Sequence, residues 1–304
     1  MRLLAATTTI VLGVMLAFAA ASHSSARAAT SPFVAGDQLV YAITSELQQH
    51  HVRGGSKSQD KVAESSAQGT ATFTVYSIGA DGTAYATVAF DFKGLNQGQP
   101  VEFQSVTPGK ILPDGQLRTK AQVGLGISDA IGAANTTAGE VAQNGLLAVG
   151  KTWTNASKTP FLVLTVTRRI VGRTNYQGFT AYALQSAGTG TLLKTADGQP
   201  TSGTITVSGT TYYDSQDRLL IGEALRTLTV VQQSGSGSSH DDYSAEFNVV
   251  LNGWTHASPV PAQNQGLEGT QVSPQPLETS AAPTPTPLLN APTPYPTVTP
   301  RFGP

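Results

Sequence analysis

The sequence predicts a mainly β fold: a large curved antiparallel sheet, a half-barrel or open barrel, with one or two short helices as a lid and a disordered Pro/Thr-rich tail. Three observations predict it. Apolar and polar residues alternate with a period of two along most of the chain, Asp-Gly pairs separate the alternating runs, and one Ala-rich stretch drops the alternation. The clearest run, Tyr243 to Asn252, puts Tyr243, Ala245, Phe247, Val249 and Leu251 on one face, opposite mostly polar residues. Ala84, Ala86, Val88, Phe90 and Phe92 alternate in the same way with Thr83, Tyr85, Thr87 and Asp91, and Phe179, Ala181 and Ala183 with Thr180 and Tyr182. The Thr, Val and Tyr in these runs suit a pleated, half-buried surface.

Taken in chain order, residues 1–30 read as an export signal. Arg2 opens it, Leu3 to Ala20 is apolar, and Ser25 to Thr30 offers small-residue cleavage sites. Residues 31–257 read as one β-rich domain, because nothing inside them resembles a linker. Asp81-Gly82, Asp114-Gly115 and Asp197-Gly198 mark hairpin turns, where glycine supplies a positive φ. Runs such as Phe161 to Val171, Ile205 to Tyr213 and Leu219 to Val231 exceed the usual strand length, which favours a broad curved sheet over a compact sandwich. Gly209 and Gly222 interrupt such runs and are expected at bulges or bends. Between Gly124 and Ala148, Ser128 before Asp129 and Thr137 before Glu140 suggest the starts of two short helices. Residues 258–304 hold 12 of the 18 prolines and three charged residues, a composition too poor in apolar surface to fold. Thr-Pro repeats such as Pro283 to Pro287 favour an extended spacer.

Composition excludes several chemistries. The absence of cysteine removes disulfides, thiol nucleophiles, cysteine-ligated metals and a lipid-modified cysteine. A net charge of −1, with 18 Lys+Arg clustered only at Arg168-Arg169, argues against nucleic-acid binding, which needs a concentrated basic surface. No Gly-x-Ser-x-Gly elbow or phosphate-binding glycine fingerprint occurs, and the Ser/Gly run from Ser234 to Ser239 reads as a loop. His50-His51 and His240-Asp241-Asp242 gather metal-type ligands, but strand neighbours point to opposite faces, so solvated turns explain them better than a metal site. The expectation is a non-enzyme without cofactor or metal.

Two carboxylates, Asp91 and Glu223, stand near apolar patterns and are candidates for inward-turned anchors. A buried carboxylate must be paired, neutralised or at a wet mouth. With it, Phe90, Phe92, Phe247 and Val249 are the candidate lining of an apolar concave site, which needs only a few polar anchors. The ligand implied is a lipid or other hydrophobic small molecule. The runner-up is a structural or surface-interaction module without a ligand, followed by a hydrolase with no recognisable motif.

Three short segments carry a resemblance: Gly36-Asp37-x-x-x-Tyr41, Val149-Gly150-Lys151-x-Trp153, and Tyr212-Tyr213-Asp214-Ser-Gln-Asp-Arg218-Leu219. Together they resemble uncharacterised secreted bacterial proteins similar to the lipoprotein-carrier half-barrel superfamily. The resemblance implies a long curved sheet around a helical lid, with acyl chains on the concave face. The chain departs from the pattern in lacking a lipidation cysteine, in its tail, and in residues for handing a cargo to a partner. The expected location is secreted, periplasmic or at the cell surface, with no membrane span once the signal is cleaved.

Overall fold

Period-two patterning is realised as eleven strands in one antiparallel sheet, seen in a computed structural model that describes residues 31–52, 59–120, 123–145, 147–194, 200–232 and 239–257. The predicted export signal, the Pro/Thr tail, Asp197-Gly198 and Ser234 to Ser238 lie outside the described residues. The strands are β1 (Gln38–Val52), β2 (Gln59–Ile78), β3 (Ala84–Asn96), β4 (Gln99–Ile111), β5 (Leu117–Thr119), β6 (Thr152–Lys158), β7 (Leu162–Tyr176), β8 (Phe179–Lys194), β9 (Pro200–Asp214), β10 (Leu219–Gln232) and β11 (His240–Thr255). A single helix, α1 (Ile127–Gln143), lies between β5 and β6 in the chain.

Spatial order is β5-β4-β3-β2-β1-β11-β10-β9-β8-β7-β6. Two meanders therefore leave a central β1–β11 pair in opposite directions, and the sheet does not close into a barrel. Tight turns explain the sequential pairing. Gln97-Gly98 and Gln177-Gly178 both take positive φ (52° and 74°, 53° and 84°), the backbone of a two-residue type I′ hairpin whose twist matches its strands. Gly82 and Gly115, of the predicted Asp-Gly turns, also have positive φ.

Alternation places its apolar faces as expected on β3 and β11, where Ala84 to Phe92 and Tyr243 to Leu251 are buried at every second position. One continuous buried cluster joins residues of β1 to β4 with residues of β7 to β11, so the apolar faces of the two arms share a core. On β8 the pattern changes phase: Ala181 and Leu184 are both buried, while Ala183 is half-buried. The cause is a register shift between Ile170 and Gly172 on the paired strand β7. Gly222 does lie at a register shift, between Leu220 and Gly222. Gly209 does not: it sits in regular pairing with Leu225 and Ser186, where a side chain would run into the Ala224 carbonyl.

The two predicted helix starts merge into one helix of 17 residues. Ser128 and Thr137 are not caps but interior residues, and the Thr137 hydroxyl is spent on tertiary contacts. Twelve positions of α1 are buried, on more than one face, and most are Ala, Thr or Gly. One stripe of α1 stays partly wet, since Ser128, Gly132 and Asn135 are half-buried and Ala142 is exposed; small side chains let the rest fit against the sheet.

Sheet edges are blunted. The β5 edge is three residues long, and the Asn135 amide of α1 exchanges hydrogen bonds with the Leu117 N–H and C=O, imitating a further strand. Beyond β5, β4 is itself an edge and carries Pro100 and Pro108 within its paired length. Proline is tolerated there because an edge strand has one side free of ladder bonds.

At one end of the sheet the first and last described segments are clasped together. Asp37 is fully buried; its carboxylate accepts the N–H groups of Val34 (3.0 Å) and Ala257 (2.9 Å) and faces His256 (3.5 Å). Gly36 (φ 97°) must be glycine, since a Cβ would lie 2.7 Å from that of Ala257. Nearby the β4–β5 turn meets the β9–β10 turn: the Tyr213 hydroxyl reaches the Asp114 carbonyl (3.4 Å), and a Cβ on Gly115 would collide with the Arg218 backbone. Asp37→Ala removes the acceptor of two part-buried N–H groups and is expected to cost about 1–3 kcal/mol at pH 7, read from urea unfolding; a loss under 0.5 kcal/mol would show that solvent replaces the clasp.

Candidate functional site

The five apolar and acidic residues singled out from the sequence fall on three consecutive cross-strand rows. Register pairs place Phe92, Gly69, Ile43, Val249, Glu223 and Thr211 side by side on six neighbouring strands. Phe247 lies in the next row, beside Ser45 and Leu225, and Phe90 in the row on the other side, beside Ala71 and in line with Tyr41. All five are buried. They do not converge on one point: Phe92 and Glu223 are four strand spacings apart, about 19 Å along the sheet. Phe90 packs against Phe92 and Phe103 with ring centres 6.1 and 6.5 Å apart, an aromatic group at the β3–β4 side. Asp91 points outward and is exposed, accepting a hydrogen bond from Gln104 (3.2 Å), because it holds the polar phase of β3.

Helix α1 crosses these rows. Its N-terminal end meets β1 and β11, where the Ser45 hydroxyl donates to the Leu125 carbonyl and a side chain on Gly126 (φ 80°) would press on Phe247. Further along, a buried polar cluster joins it to β6, β7, β9 and β10. Arg168 and Glu140 form an ion pair with side chains 3% and 9% exposed. The Trp153 indole N–H donates to Glu140 (3.3 Å), and Arg168 also donates to the Thr137 hydroxyl (3.2 Å). Thr137 (2.7 Å) and Thr211 (3.2 Å) both donate to Oε1 of Glu223.

Among the described residues, three polar atoms of this cluster have no hydrogen-bond partner: Nε of Arg168, Oγ of Ser186 and Oε2 of Glu223. Ser186 stands directly opposite Arg168 on the adjacent strand, and all three residues are at most 5% exposed. Burial pushes the Glu223 carboxyl above the ordinary carboxylate range, against the opposing pull of the Thr137 and Thr211 hydrogen bonds and the Arg168 charge. Alternation alone could flag Glu223, but not its partners: Arg168 reads as a polar strand residue, and Thr137 and Glu140 read as a capping pair.

His50, His51 and His240 sit on strands, not in turns. On the facing ends of β1 and β11, His51 Nδ1 lies 2.9 Å from Asp241 and His240 Nε2 lies 3.3 Å from Asp242. Among the described residues no group of three His, Cys, Asp or Glu side chains could hold a metal ion, and no helix is long and apolar enough to cross a membrane. Two depressions, of about 520 and 460 Å³, open mostly among outward residues, with the buried Ser186, Leu225 and Phe247 also lining the first and Ser45 and Ala67 the second, and they share Glu246 and Asn248. Their rims are polar and charged, with Arg226 and Ser208 at one and Lys93 and Gln68 at the other.

No protein-family model matches the chain, and no curated protein matches it. Among solved structures it is similar to lipovitellin, in a study of its lipid–protein interactions, at TM-score 0.40 and 10% identity over 74% of this chain and 26% of that one. It is also similar to a bacterial polysaccharide outer-membrane secretin (TM-score 0.24, 9% identity, 69% and 97% of the two chains). OccK5 (OpdH) of Pseudomonas aeruginosa matches at TM-score 0.25 and 8% identity over 70% and 97%. The chain spans about a quarter of the lipovitellin chain. Each TM-score is below 0.5, so these likenesses assign neither a family nor a function.

Two measurements test the electrostatics. Glu140→Ala leaves the buried Arg168 guanidinium without its counter-charge and is expected to cost about 3–5 kcal/mol in urea unfolding; a cost under 1 kcal/mol would mean that Arg168 reaches water. Asp129, in the first turn of α1, has its carboxyl pushed up to about 6 from 3.8 by burial. Burial outweighs the helix dipole, which favours an anion there by about 0.3–1 kcal/mol. The folded state therefore prefers the neutral acid. That stabilisation is complete below about pH 4 and is lost as pH rises through about 6, on the order of 3 kcal/mol in all. Asp129→Asn should flatten this decline in thermal melts between pH 4 and 6; an unchanged slope would contradict a buried, neutral Asp129.

Proposed function

We propose that the protein is an exported, non-enzymatic binding or carrier domain for a lipid or other hydrophobic ligand of the cell envelope. One observation carries the reading: the apolar face of an unclosed sheet is filled by a single helix built mainly from Ala, Thr and Gly. Small side chains make few dispersion contacts each, so α1 covers the face with a weaker hold than a layer of Leu and Phe would give. Its fastening is concentrated in polar contacts at Ser45, Asn135, Thr137 and Glu140. Displacement of α1 would uncover a continuous greasy surface from the Phe90–Phe92 group to Glu223, long enough for an extended acyl chain. The edge strands β5 and β6 do not pair with each other, which leaves the sheet free to widen as the helix moves.

The likeness of the Gly36, Trp153 and Tyr212 segments to lipoprotein-carrier half-barrels supports the same reading, and so does the predicted export signal. A second reading, a surface-interaction module without a small ligand, is favoured by the polar depressions about Glu246 on the outward side.

Because the chain has no cysteine, a disulfide introduced at Ser45→Cys with Gly126→Cys is unambiguous. A Cβ at 126 would lie 3.3 Å from that of Ser45, close to disulfide spacing. The reduced protein should take up the apolar probe diphenylhexatriene, and the oxidised protein, with α1 tethered, should lose most of that uptake. Absence of uptake in the wild type, or uptake indifferent to oxidation, would sink the reading; comparison of one variant in two redox states removes folding as a cause.

A further inference from the structure

The devices that blunt β5 and β4 have no counterpart on the opposite edge of the sheet, β6. Among the described residues β6 pairs only with β7, so one side of it meets no strand. Its length, Thr152–Lys158, holds neither proline nor glycine, and its one charge, Lys158, stands at the end. An edge of this kind is a template for a further strand. Thr152, Thr154, Asn155, Ala156 and Lys158 are all exposed, so past Trp153 most of the strand stands clear on both faces.

Hydrogen-bond parity fixes which backbone groups are on offer. The Ile170 N–H donates to the Lys151 carbonyl and the Thr159 N–H to the Leu162 carbonyl, which brackets β6 at both ends. Bonded and non-bonded positions alternate along an antiparallel ladder, so the odd-numbered residues of β6 bond to β7. The even-numbered ones, Thr152, Thr154, Ala156 and Lys158, turn N–H and C=O to the open side.

We infer that β6 pairs edge to edge with β6 of a second copy of this chain, antiparallel about a two-fold axis at Asn155. This register overlaps the whole strand and sets even-numbered residues against even-numbered ones: Thr152 faces Lys158 of the second copy, and Thr154 faces its Ala156. Each such pair exchanges both of its hydrogen bonds, while Asn155 meets its own copy at a non-hydrogen-bonded position. Lys158, opposite Thr152, meets no like charge across the ladder.

Exposed apolar residues fit the same axis. Val149 (59% exposed) precedes β6 by three residues and Phe161 (37%) follows it by three. The two-fold therefore carries Val149 of each chain to the end where Phe161 of the other lies. Leu193, also exposed, donates its N–H to the Phe161 carbonyl (2.7 Å) and widens that apolar end. In the single chain these side chains stand in water; in the pair they gather at each end of the new ladder. A second copy is favoured over a foreign strand because β6 is complementary to itself in both respects, hydrogen-bond parity and apolar ends. The contact is small beside a standard interface of about 1,600 Å², so the pair is reversible, with a dissociation constant in the micromolar range. Pairing asks nothing of the ligand reading, since it uses backbone groups that the core leaves unspent.

Sedimentation equilibrium of the full chain should show a monomer–dimer equilibrium across the micromolar range. Ala156→Pro deletes an outward N–H and no bond to β7, so it should weaken the dimer at least tenfold. Its melting temperature should be unchanged at concentrations where the wild type is monomeric. Because the chain has no cysteine, Asn155→Cys supplies a single thiol. The axis sets its Cα about 4.5 Å from that of its copy, within disulfide reach. Under mild oxidation it should cross-link at least tenfold faster than Thr152→Cys, which faces Lys158 in this register. A wild type monomeric throughout the micromolar range, or equal cross-linking of the two cysteine variants, would overturn self-pairing. An Ala156→Pro dimer as tight as that of the wild type would place the contact away from β6 and overturn it as well.

Discussion

The strands at the two edges of the sheet, β5 and β6, are consecutive in the chain. Everything else about the molecule depends on that constraint. With β1 and β11 paired at the centre and the strands meandering outward from them, the chain must travel from one edge to the other before the second arm can begin. Helix α1 forms within that connection, and its burial on more than one face puts it inside the curl. The helix is thus a topological necessity as well as a filling, and its small residues are the ones that fit between two arms of one sheet.

That position explains why the polar cluster exists where it does. Ile127, Ile131 and Val141 give α1 its larger apolar contacts, and the rest of its buried surface is mostly small side chains. Directional bonds from Thr137 and Glu140 to Glu223, Arg168 and Trp153 set its rotation and height. A buried ion pair is weak evidence for stability, since desolvation offsets most of the attraction. Its value here is geometric: it gives the connection one seat on the sheet. The same physics leaves Arg168, Ser186 and Glu223 with capacity unspent, which an all-apolar seat would not.

Away from the helix, the sheet is held by devices that act at its ends. The tip of the β7–β8 hairpin lays Tyr176, stacked on Tyr212 at 3.8 Å, over Gly222, where a Cβ would touch the Tyr176 ring at 2.8 Å. Phe33 and Phe179 flank Trp254, and Asp37 ties the first described segment to the residues that follow β11. These contacts close the central pair at the end where the chain enters and leaves the sheet.

The strands, their inward faces on β3 and β11, and the turns at Gly82 and Gly115 were legible in the sequence because they depend on near neighbours. Alternation reports which face is buried, and Asp-Gly reports a positive φ. The Gln-Gly turns carried the same signal in a glycine preceded by a less telling residue. Reading Glu223 as an inward carboxyl was also local, since it interrupts an apolar phase. Asp91 was misjudged as a candidate because a carboxylate near an apolar run can hold either phase. The merging of two helix starts into α1, the phase change on β8, and the meeting of Arg168 with Glu140 and Thr137 were decided only by the tertiary structure. Each depends on where a distant strand or a curled sheet places a partner, and side chains 28 and 86 residues apart in the chain leave no local pattern by which to find each other.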